Sequence, residues 1–168
     1  MIQKNFRSCL YYLAYNETMK VTLKPVTKRD WKFILSVRNQ KEVRLACHDT
    51  RVISYQKHQR YMEKISSDPD CYQWIILCNG KKVGHTKIIH SEFGYMVKDG
   101  FRGKGIGTQT YHLVFVECRR LGITWLIDTI KVNQAIPVLV ASKVGFSITN
   151  LTWKNSQPYS YTLVRKGI

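Results

Sequence analysis

Acidic residues are scarce in this chain of 168 residues: 11 Asp and Glu stand against 27 Lys and Arg, which gives a formal net charge of +16. So basic a protein is expected to meet an anionic partner, such as nucleic acid, an acidic membrane surface or a phosphorylated small molecule. The cations are spread along the chain and form no tail or stripe. The charge alone therefore does not choose among these partners.

Zinc and redox motifs are also missing, because no pair of the five cysteines has C-x-x-C spacing. We expect a reduced, cytoplasmic protein without a metal site. The apolar stretch at residues 9–15 is too short to span a bilayer and lacks a signal-peptide cleavage site, so no membrane partner is expected. The length suits one domain, which we place at residues 19–168 because Met19 is an alternative start; residues 1–18 are then an extension of unassigned role.

Short apolar runs separated by turn-forming residues predict alternating strands and helices. Asn79-Gly80 joins two β-rich runs and indicates a two-residue hairpin. The run 124–132 is almost entirely apolar, which predicts a strand buried on both faces. The expected strands are 21–26, 72–78, 82–89, 93–97, 124–132, 147–153 and 159–165, and the expected helices are 30–38, 55–65, 108–121 and 134–144. This order predicts a mixed sheet with helices on its faces, an α/β domain.

A glycine-rich segment, Arg102-Gly103-Lys104-Gly105-Ile106-Gly107, lies between a predicted strand and a predicted helix. Glycines let the backbone approach an anion closely, and a helix that starts there directs its free N–H groups and positive dipole end toward it. The spacing matches neither a Walker A loop nor the G-x-G-x-x-G dinucleotide fingerprint. The segment therefore predicts a phosphate site of another kind.

This segment reads R-x-x-G-x-G and closely resembles the pyrophosphate signature of the GNAT superfamily of acetyl-CoA-dependent N-acyltransferases. The resemblance extends over residues 20–165 through the element order, through Gly94-Tyr95-Met96-Val97 before the loop, and through Asn133 and Gly145-Phe146 after it. It implies a GNAT fold: a mixed, mostly antiparallel sheet of about six or seven strands, flanked by about four helices and splayed between strands 4 and 5.

The same resemblance implies acetyl-CoA as the co-substrate, with its pantetheine arm in the splay and its pyrophosphate on the glycine loop. Backbone groups of strand 4 would pair with the pantetheine arm. Residues at the start of the last helix and within it would lie near other parts of acetyl-CoA. The residues so implied in binding acetyl-CoA are Met96, Val97, Arg102, Gly103, Lys104, Gly105, Ile106, Gly107, Thr108, Asn133 and Ser142.

Acetyl transfer to an amine needs a group that takes the amine proton and donors that stabilise the oxyanion. Glu92 matches the position at which many family members carry a carboxylate base, and His90 is the alternative because a neutral imidazole could take the same proton. Many members also have a tyrosine four residues before Gly-Phe that protonates the leaving thiolate. This chain has Ala141 there, so the leaving-group acid stays unassigned.

Arg38-Asn39, Arg44 and His58 form a sparse pattern similar to the GNAT branch that acetylates the 4-amino group of nucleotide-linked amino sugars, as in pseudaminic acid biosynthesis. A UDP-linked amino sugar is then the implied acceptor, with its diphosphate paired to arginine and Tyr95 in the same site. A GNAT that acetylates a protein or peptide amine, ribosomal N-termini included, is the second alternative. A nucleic-acid-binding module is the third, although no recognised motif for it is present. The exact acceptor and the oligomeric state stay open, a homodimer being one alternative.

Overall fold

A computed structural model describes residues 19–168, so the predicted extension 1–18 lies outside the described residues. Seven strands form one mixed sheet in the order β1-β2-β3-β4-β5-β7-β6. The strands are β1 (Val21–Pro25), β2 (Cys71–Cys78), β3 (Lys81–Ile89), β4 (Glu92–Val97), β5 (Trp125–Lys131), β6 (Ser147–Lys154) and β7 (Gln157–Lys166). The helices of the described part are α1 (Trp31–Arg38), α2 (Lys41–Ala46), α3 (Tyr55–Ser66), α4 (Ile106–Leu121) and α5 (Ala135–Lys143).

The start of α1 is fixed by a buried acid. Asp30 accepts hydrogen bonds from the backbone and hydroxyl of Thr27, and it pairs with Lys24 at 3.0 Å and with Lys82 at 2.6 Å. Burial would raise the pKa of Asp30, but these cations and hydrogen bonds outweigh it and hold the pKa well below its usual range. One carboxylate thus ties α1 to strands β1 and β3.

Two helical layers cover the two faces of the sheet. On one face, α1 and α3 bury Trp31, Ile34 and Met62 against Ile75 of β2. On the other face, α4 and α5 bury a larger cluster of aromatic and aliphatic side chains, which includes Tyr111, Phe115, Ala141, Val144 and Phe146. Because side chains alternate along a strand, each strand of the middle of the sheet contributes to both layers.

The sheet is splayed between β4 and β5, as the resemblance implies. These two strands run parallel and pair only at Glu92 with Ile127 and at Phe93 with Asp128, whereas all other pairings in the described sheet are antiparallel. Farther along, β4 continues with β3 as far as Val97, while β5 continues with β7 as far as Lys131. A gap between the two halves of the sheet, here called the β4–β5 gap, therefore opens at Gly94.

Strand β5 differs from the prediction that it would be buried on both faces. Leu126, Asp128 and Ile130 are buried, but Trp125 is 43% exposed and the residues between them are only partly covered. The reason is that α1 packs over β3 and β4 rather than over β5. The short helix α2 was not predicted. No helix within residues 19–168 combines the length and the apolar character needed to cross a membrane.

Candidate active site

The glycine loop leads directly into the start of α4. Gly103 and the N-cap residue Gly105 have φ values of 72° and 74°, a left-handed conformation that glycine adopts without strain. The first turn of α4 contains no acidic residue. Its backbone N–H groups have no carbonyl partner within the helix, as in the first turn of any helix. The loop and the helix start therefore form a backbone site with the polarity that an anion requires.

Three cations surround this helix start. The ammonium groups of Lys98 and Lys104 lie 5.1 Å and 5.5 Å from the centre of the Phe101 ring; Lys98 precedes the glycine loop and Lys104 lies within it. Arg102 folds back toward the sheet, where its Nε donates to the carbonyl of Val97 at 3.0 Å. Arg102 thus connects the loop to the end of β4, and the two lysines supply the mobile positive charge.

The other residues implied in donor binding differ in exposure. The carbonyl of Met96 faces β3, where it would collide with any methyl group on Gly84, so Met96 does not present this oxygen to the gap. Asn133 is exposed in the turn between β5 and α5, and Ser142 is exposed on α5. Ala141, at the position of the absent tyrosine, is fully buried in the core beneath α5.

Tyr95 does not lie with the other predicted acceptor residues. Its ring packs under α4, and a methyl group at Gly107 would lie 2.8 Å from its hydroxyl oxygen. Burial, together with the nearby Asp128, raises the pKa of Tyr95 to about 12. Because side chains alternate, the face of β4 that carries Tyr95 is opposite to the face that carries Glu92. Tyr95 therefore lies on the α4 side of the sheet, opposite to Glu92, and its predicted role in binding the acceptor stays a prediction.

Glu92 is the first residue of β4, and its side chain is exposed. It shares one face of the strand with Gly94 and Met96, and Met96 packs into the cluster beneath α1 and α3. Glu92 also belongs to the first of the two β4–β5 pairs, immediately before the gap opens. A carboxylate is thus present at the closed end of the gap, on the face opposite to the start of α4.

His90, the alternative base, lies outside β4. It lies in the turn between β3 and β4 with φ of 48°, and its Nε2 is 3.1 Å from a carboxylate oxygen of Asp68. The ligand atoms of His90, Asp68 and Asp70 lie within 4.8 Å of one another, an arrangement that could hold a metal ion. This group lies at the turn between β3 and β4, whereas the glycine loop follows the opposite end of β4.

Arg38, Asn39 and Arg44 are brought together, but their side chains mainly hold the loop between α2 and α3. Arg38 Nη2 donates to the carbonyl of Asp49 at 2.6 Å, and Arg44 Nη1 donates to the carbonyl of Thr50 at 2.7 Å. The amide of Asn39 exchanges two hydrogen bonds with the backbone of Ile53, at 2.8 Å and 2.9 Å. Of these cations, Arg38 keeps one buried nitrogen, Nη1, without a hydrogen-bond partner among the described residues.

His58 is part of the packing between two helices and does not face this loop. It is only 4% exposed, and its Nε2 lies 3.0 Å from the carbonyl of Trp31 in α1. Because a carbonyl only accepts, Nε2 carries the proton and donates it. Burial lowers the pKa of His58, although this hydrogen bond opposes the shift. The predicted role of His58 in binding an acceptor does not fit this position.

Two pairs near the gap were missed by sequence reasoning. Tyr111 of α4 donates a hydrogen bond of 2.5 Å to the buried carboxylate of Asp128, which pairs with Phe93 at the last contact between β4 and β5. Lys87 of β3 donates a hydrogen bond of 2.7 Å to the hydroxyl of Tyr61 in α3. An acid inside the apolar run 124–132 was the one available signal for the first pair. The second pair depends on strand register and left no sequence signal.

A carboxylate and a backbone anion site thus lie on opposite faces of the split sheet, one on each side of the β4–β5 gap. Residues 20–147 match the family model described as the acetyltransferase (GNAT) domain. The chain belongs to this family of acetyltransferases.

Solved structures show the same fold at low sequence identity. Spermidine N-acetyltransferase from Vibrio cholerae, in complex with CoA and spermine, is 14% identical and has a TM-score of 0.77 over 88% of this chain and 95% of that chain. An aminoglycoside acetyltransferase in complex with coenzyme A is 14% identical, with a TM-score of 0.73 over 88% of this chain and 95% of that chain. A ribosomal L7/L12 α-N-protein acetyltransferase in complex with CoA is 13% identical, with a TM-score of 0.72 over 87% and 93% of the two chains. No curated protein sequence matches the chain.

Proposed function

We propose that this protein moves the acetyl group of acetyl-CoA to the 4-amino group of a nucleotide-linked amino sugar, by direct attack in a ternary complex. The observation that carries the proposal is the position of the β4–β5 gap. It opens at Gly94, one residue after the last β4–β5 pair, with Glu92 on one face and the start of α4 on the other. An acetyl donor and an amine could therefore meet in the gap from opposite faces.

The start of α4 supports the donor half of the proposal. The pyrophosphate of acetyl-CoA would accept hydrogen bonds from the backbone between Gly103 and Thr108, where Lys98 and Lys104 add positive charge. Beyond Phe93, the edge of β4 that faces the gap has no strand partner in the described sheet, so backbone groups there can pair with the pantetheine amides, and the carbonyl of Val97 also accepts from Arg102. The CoA-bound relatives of the same fold make this donor the natural choice.

The position of Glu92 supports its role as the general base. A protonated amine cannot attack a thioester, so Glu92 would take the ammonium proton as the amine nitrogen forms its bond to the acetyl carbon. A backbone N–H near Val97 would stabilise the oxyanion while the carbon–sulfur bond breaks. The thiolate then leaves and takes the second proton of the amine nitrogen, which gives the amide and free CoA. A thiol with a pKa near 8.5 can leave in this way without a tyrosine at position 141.

The charge of the chain supports an anionic acceptor over a polycation. The unpaired Nη1 of Arg38 and the net charge of +16 both favour a ligand that carries phosphate. A groove for spermidine, an aminoglycoside or a basic peptide would need several carboxylates, whereas acidic residues are few in this chain. The nucleotide-linked sugar therefore ranks above a protein or peptide amine.

A panel of amines tests this function by the release of free CoA from acetyl-CoA. The panel contains UDP-4-amino-4,6-dideoxy sugars, simple amino sugars, polyamines and basic peptides. We expect turnover with the sugar nucleotides, and acetylation of peptides alone would overturn the choice of acceptor. A thermal shift with duplex or single-stranded DNA but none with saturating acetyl-CoA would overturn the enzyme itself.

Replacement of Glu92 with Gln tests the base. Glutamine cannot take the ammonium proton, so kcat/KM at neutral pH should fall roughly 100-fold or more and recover partly at higher pH, where more of the amine is free. The KM for acetyl-CoA should change little. The matched control is Glu117→Gln, which removes a half-buried carboxylate of α4 that pairs with Arg120. Equal rates for the two variants at every pH would exclude Glu92 as the base.

A further inference from the structure

The face of the sheet that carries Glu92, here called the acceptor face, has no side chain at Gly94. Gly94 is the first residue of β4 beyond its pairs with β5, and it shares a face with Glu92 and Met96. A methyl group placed on Gly94 would meet a single neighbour within 4 Å, the Cε carbon of Lys87 at 3.9 Å. The space above Gly94 is therefore open, and Lys87 forms its nearest wall.

Lys87 is held in this position from two sides. In the antiparallel register, Lys87 of β3 lies directly opposite Gly94, so its side chain leaves the sheet on the same face as Glu92. Its ammonium group donates to the hydroxyl of Tyr61 at 2.7 Å and lies 5.3 Å from the centre of the same ring. This hydrogen bond thus positions the ammonium group of a side chain that is otherwise flexible.

The charge of Lys87 is not neutralised by an ion pair. Within residues 19–168, no carboxylate lies within 4.0 Å of its ammonium group. On the same face, His85 is buried and lies 3.2 Å from Gln73, and burial, together with the charges of Lys87 and His58, lowers the pKa of His85 to about 3. His85 is therefore neutral, whereas Lys87 is a positioned cation beside the opening.

The arginines near the neighbouring loop have less freedom to bind an anion. Arg51 is held by both carboxylate oxygens of Asp49, at 2.9 Å each, and Arg44 donates to two backbone carbonyls. Lys87, by contrast, spends one donor on Tyr61, and an ammonium group has three. It can bind an anionic group without losing the contact that positions it.

We propose that Lys87, positioned by Tyr61, sets the charge class of the acceptor: it binds an amine that carries a phosphate group and disfavours polycationic amines. The proposal rests on the proposed function, in which the amine enters at Gly94 beside Glu92. Lys87 attracts the phosphate of the acceptor and repels a second ammonium group at the same place. Specificity then comes from attraction to one class and repulsion of the other.

Kinetics with glucosamine 6-phosphate, glucosamine and spermidine, in the wild type and in Lys87→Gln, tests the proposal. Loss of a charged hydrogen bond should lower kcat/KM for the phosphorylated amine roughly tenfold or more, with the KM for acetyl-CoA unchanged. Glucosamine should change less than about twofold, and the ratio of spermidine to phosphorylated amine should rise. Lys87→Arg should restore part of the preference, and Tyr61→Phe should give an intermediate loss.

The matched control is Lys28→Gln, because Lys28 also lies against an aromatic ring, at 5.9 Å from the centre of Trp31, but outside the gap. Calorimetric titration of glucosamine 6-phosphate into each variant, without acetyl-CoA, separates this proposal from the proposed function. Weaker binding to Lys87→Gln than to Lys28→Gln supports the proposal even if no amine is acetylated. Equal binding, or an unchanged ratio between the phosphorylated amine and spermidine, overturns it even if the protein acetylates amino sugars.

Discussion

Replacement of Asp128 with Asn should change the pH dependence of stability. The free energy of unfolding of the variant, relative to that of the wild type, should be higher at neutral pH than at acid pH. Asp128 is 7% exposed, and its carboxylate accepts a hydrogen bond from Tyr111 at 2.5 Å. Burial raises the pKa of Asp128 from 3.8 to about 6; the Tyr111 hydrogen bond opposes this rise, and the nearby Glu92 adds to it. The folded protein therefore favours the protonated acid, whereas the unfolded chain does not.

The size and sign of the effect come from this difference in pKa. A rise from 3.8 to about 6 corresponds to about 3 kcal/mol. A group whose pKa is raised by folding contributes its full stability below the unfolded pKa, near pH 4, and loses that contribution as the pH rises through about 6. Asparagine does not titrate and still accepts the Tyr111 hydrogen bond, so the variant should lack this loss.

Urea denaturation followed by tryptophan fluorescence, between pH 4.5 and 8, measures the difference. The free energy of unfolding of Asp128→Asn minus that of the wild type should rise by about 2 kcal/mol over this range, since the rest of the difference of about 3 kcal/mol develops below pH 4.5. The melting temperature should rise by roughly 5 to 10 °C at pH 7.5. Tyr111→Phe should have the opposite sign, with a loss of about 1–3 kcal/mol, because it leaves the carboxylate without its donor.

Asp30→Asn is the control, because folding lowers the pKa of Asp30 and raises that of Asp128. Its ion pairs and hydrogen bonds keep the pKa of Asp30 well below the usual range, so its contribution to stability is complete above about pH 4. The variant should be destabilised by a constant amount between pH 5 and 8. A constant difference for Asp128→Asn as well, or a loss of stability that grows with pH, would refute the interpretation of Asp128 as a destabilising buried acid.

Two glycines give further predictions. Gly84→Ala should lower the free energy of unfolding by about 1–3 kcal/mol, because the new methyl group meets the Met96 carbonyl, and an unchanged urea midpoint would contradict this packing. Gly107→Ala should raise the KM for acetyl-CoA several-fold by displacing the first turn of α4 from Tyr95, whose hydroxyl oxygen would be 2.8 Å from the new methyl. The double variant with Tyr95→Phe should recover part of the affinity, and the absence of any recovery would assign the loss to another cause.

Local sequence patterns predicted the strands, the long helices and the glycine loop, because each depends on neighbouring residues. The hairpin at Asn79-Gly80 and the start of α4 are examples in which the backbone preference of glycine decides the structure. The gap between β4 and β5 was accessible through family resemblance alone, since the pairing of distant strands leaves no local signal.

The side chains of the site were harder to predict, because their roles depend on which face of an element they occupy. Tyr95 and Glu92 are three positions apart on one strand and therefore lie on opposite faces. His58 and Arg44 have the residue types of a ligand site, but the structure uses them to join α3 to α1 and to hold a loop. Asp128 and Tyr111 are 17 residues apart, and only the packing of α4 on β5 brings them together.

The loop between α2 and α3 has a consequence for how acceptor preference can change. Side chains of Arg38, Asn39 and Arg44 are bonded to its backbone, and His48 is 3.1 Å from the hydroxyl of Tyr159 on β7. These hydrogen bonds hold the loop backbone in one conformation, here called a template. The backbone amide hydrogen of Ile53 should therefore exchange slowly with solvent. A new acceptor would then be accommodated by exchanging side chains that project from the template, such as Val52, while the backbone path is kept.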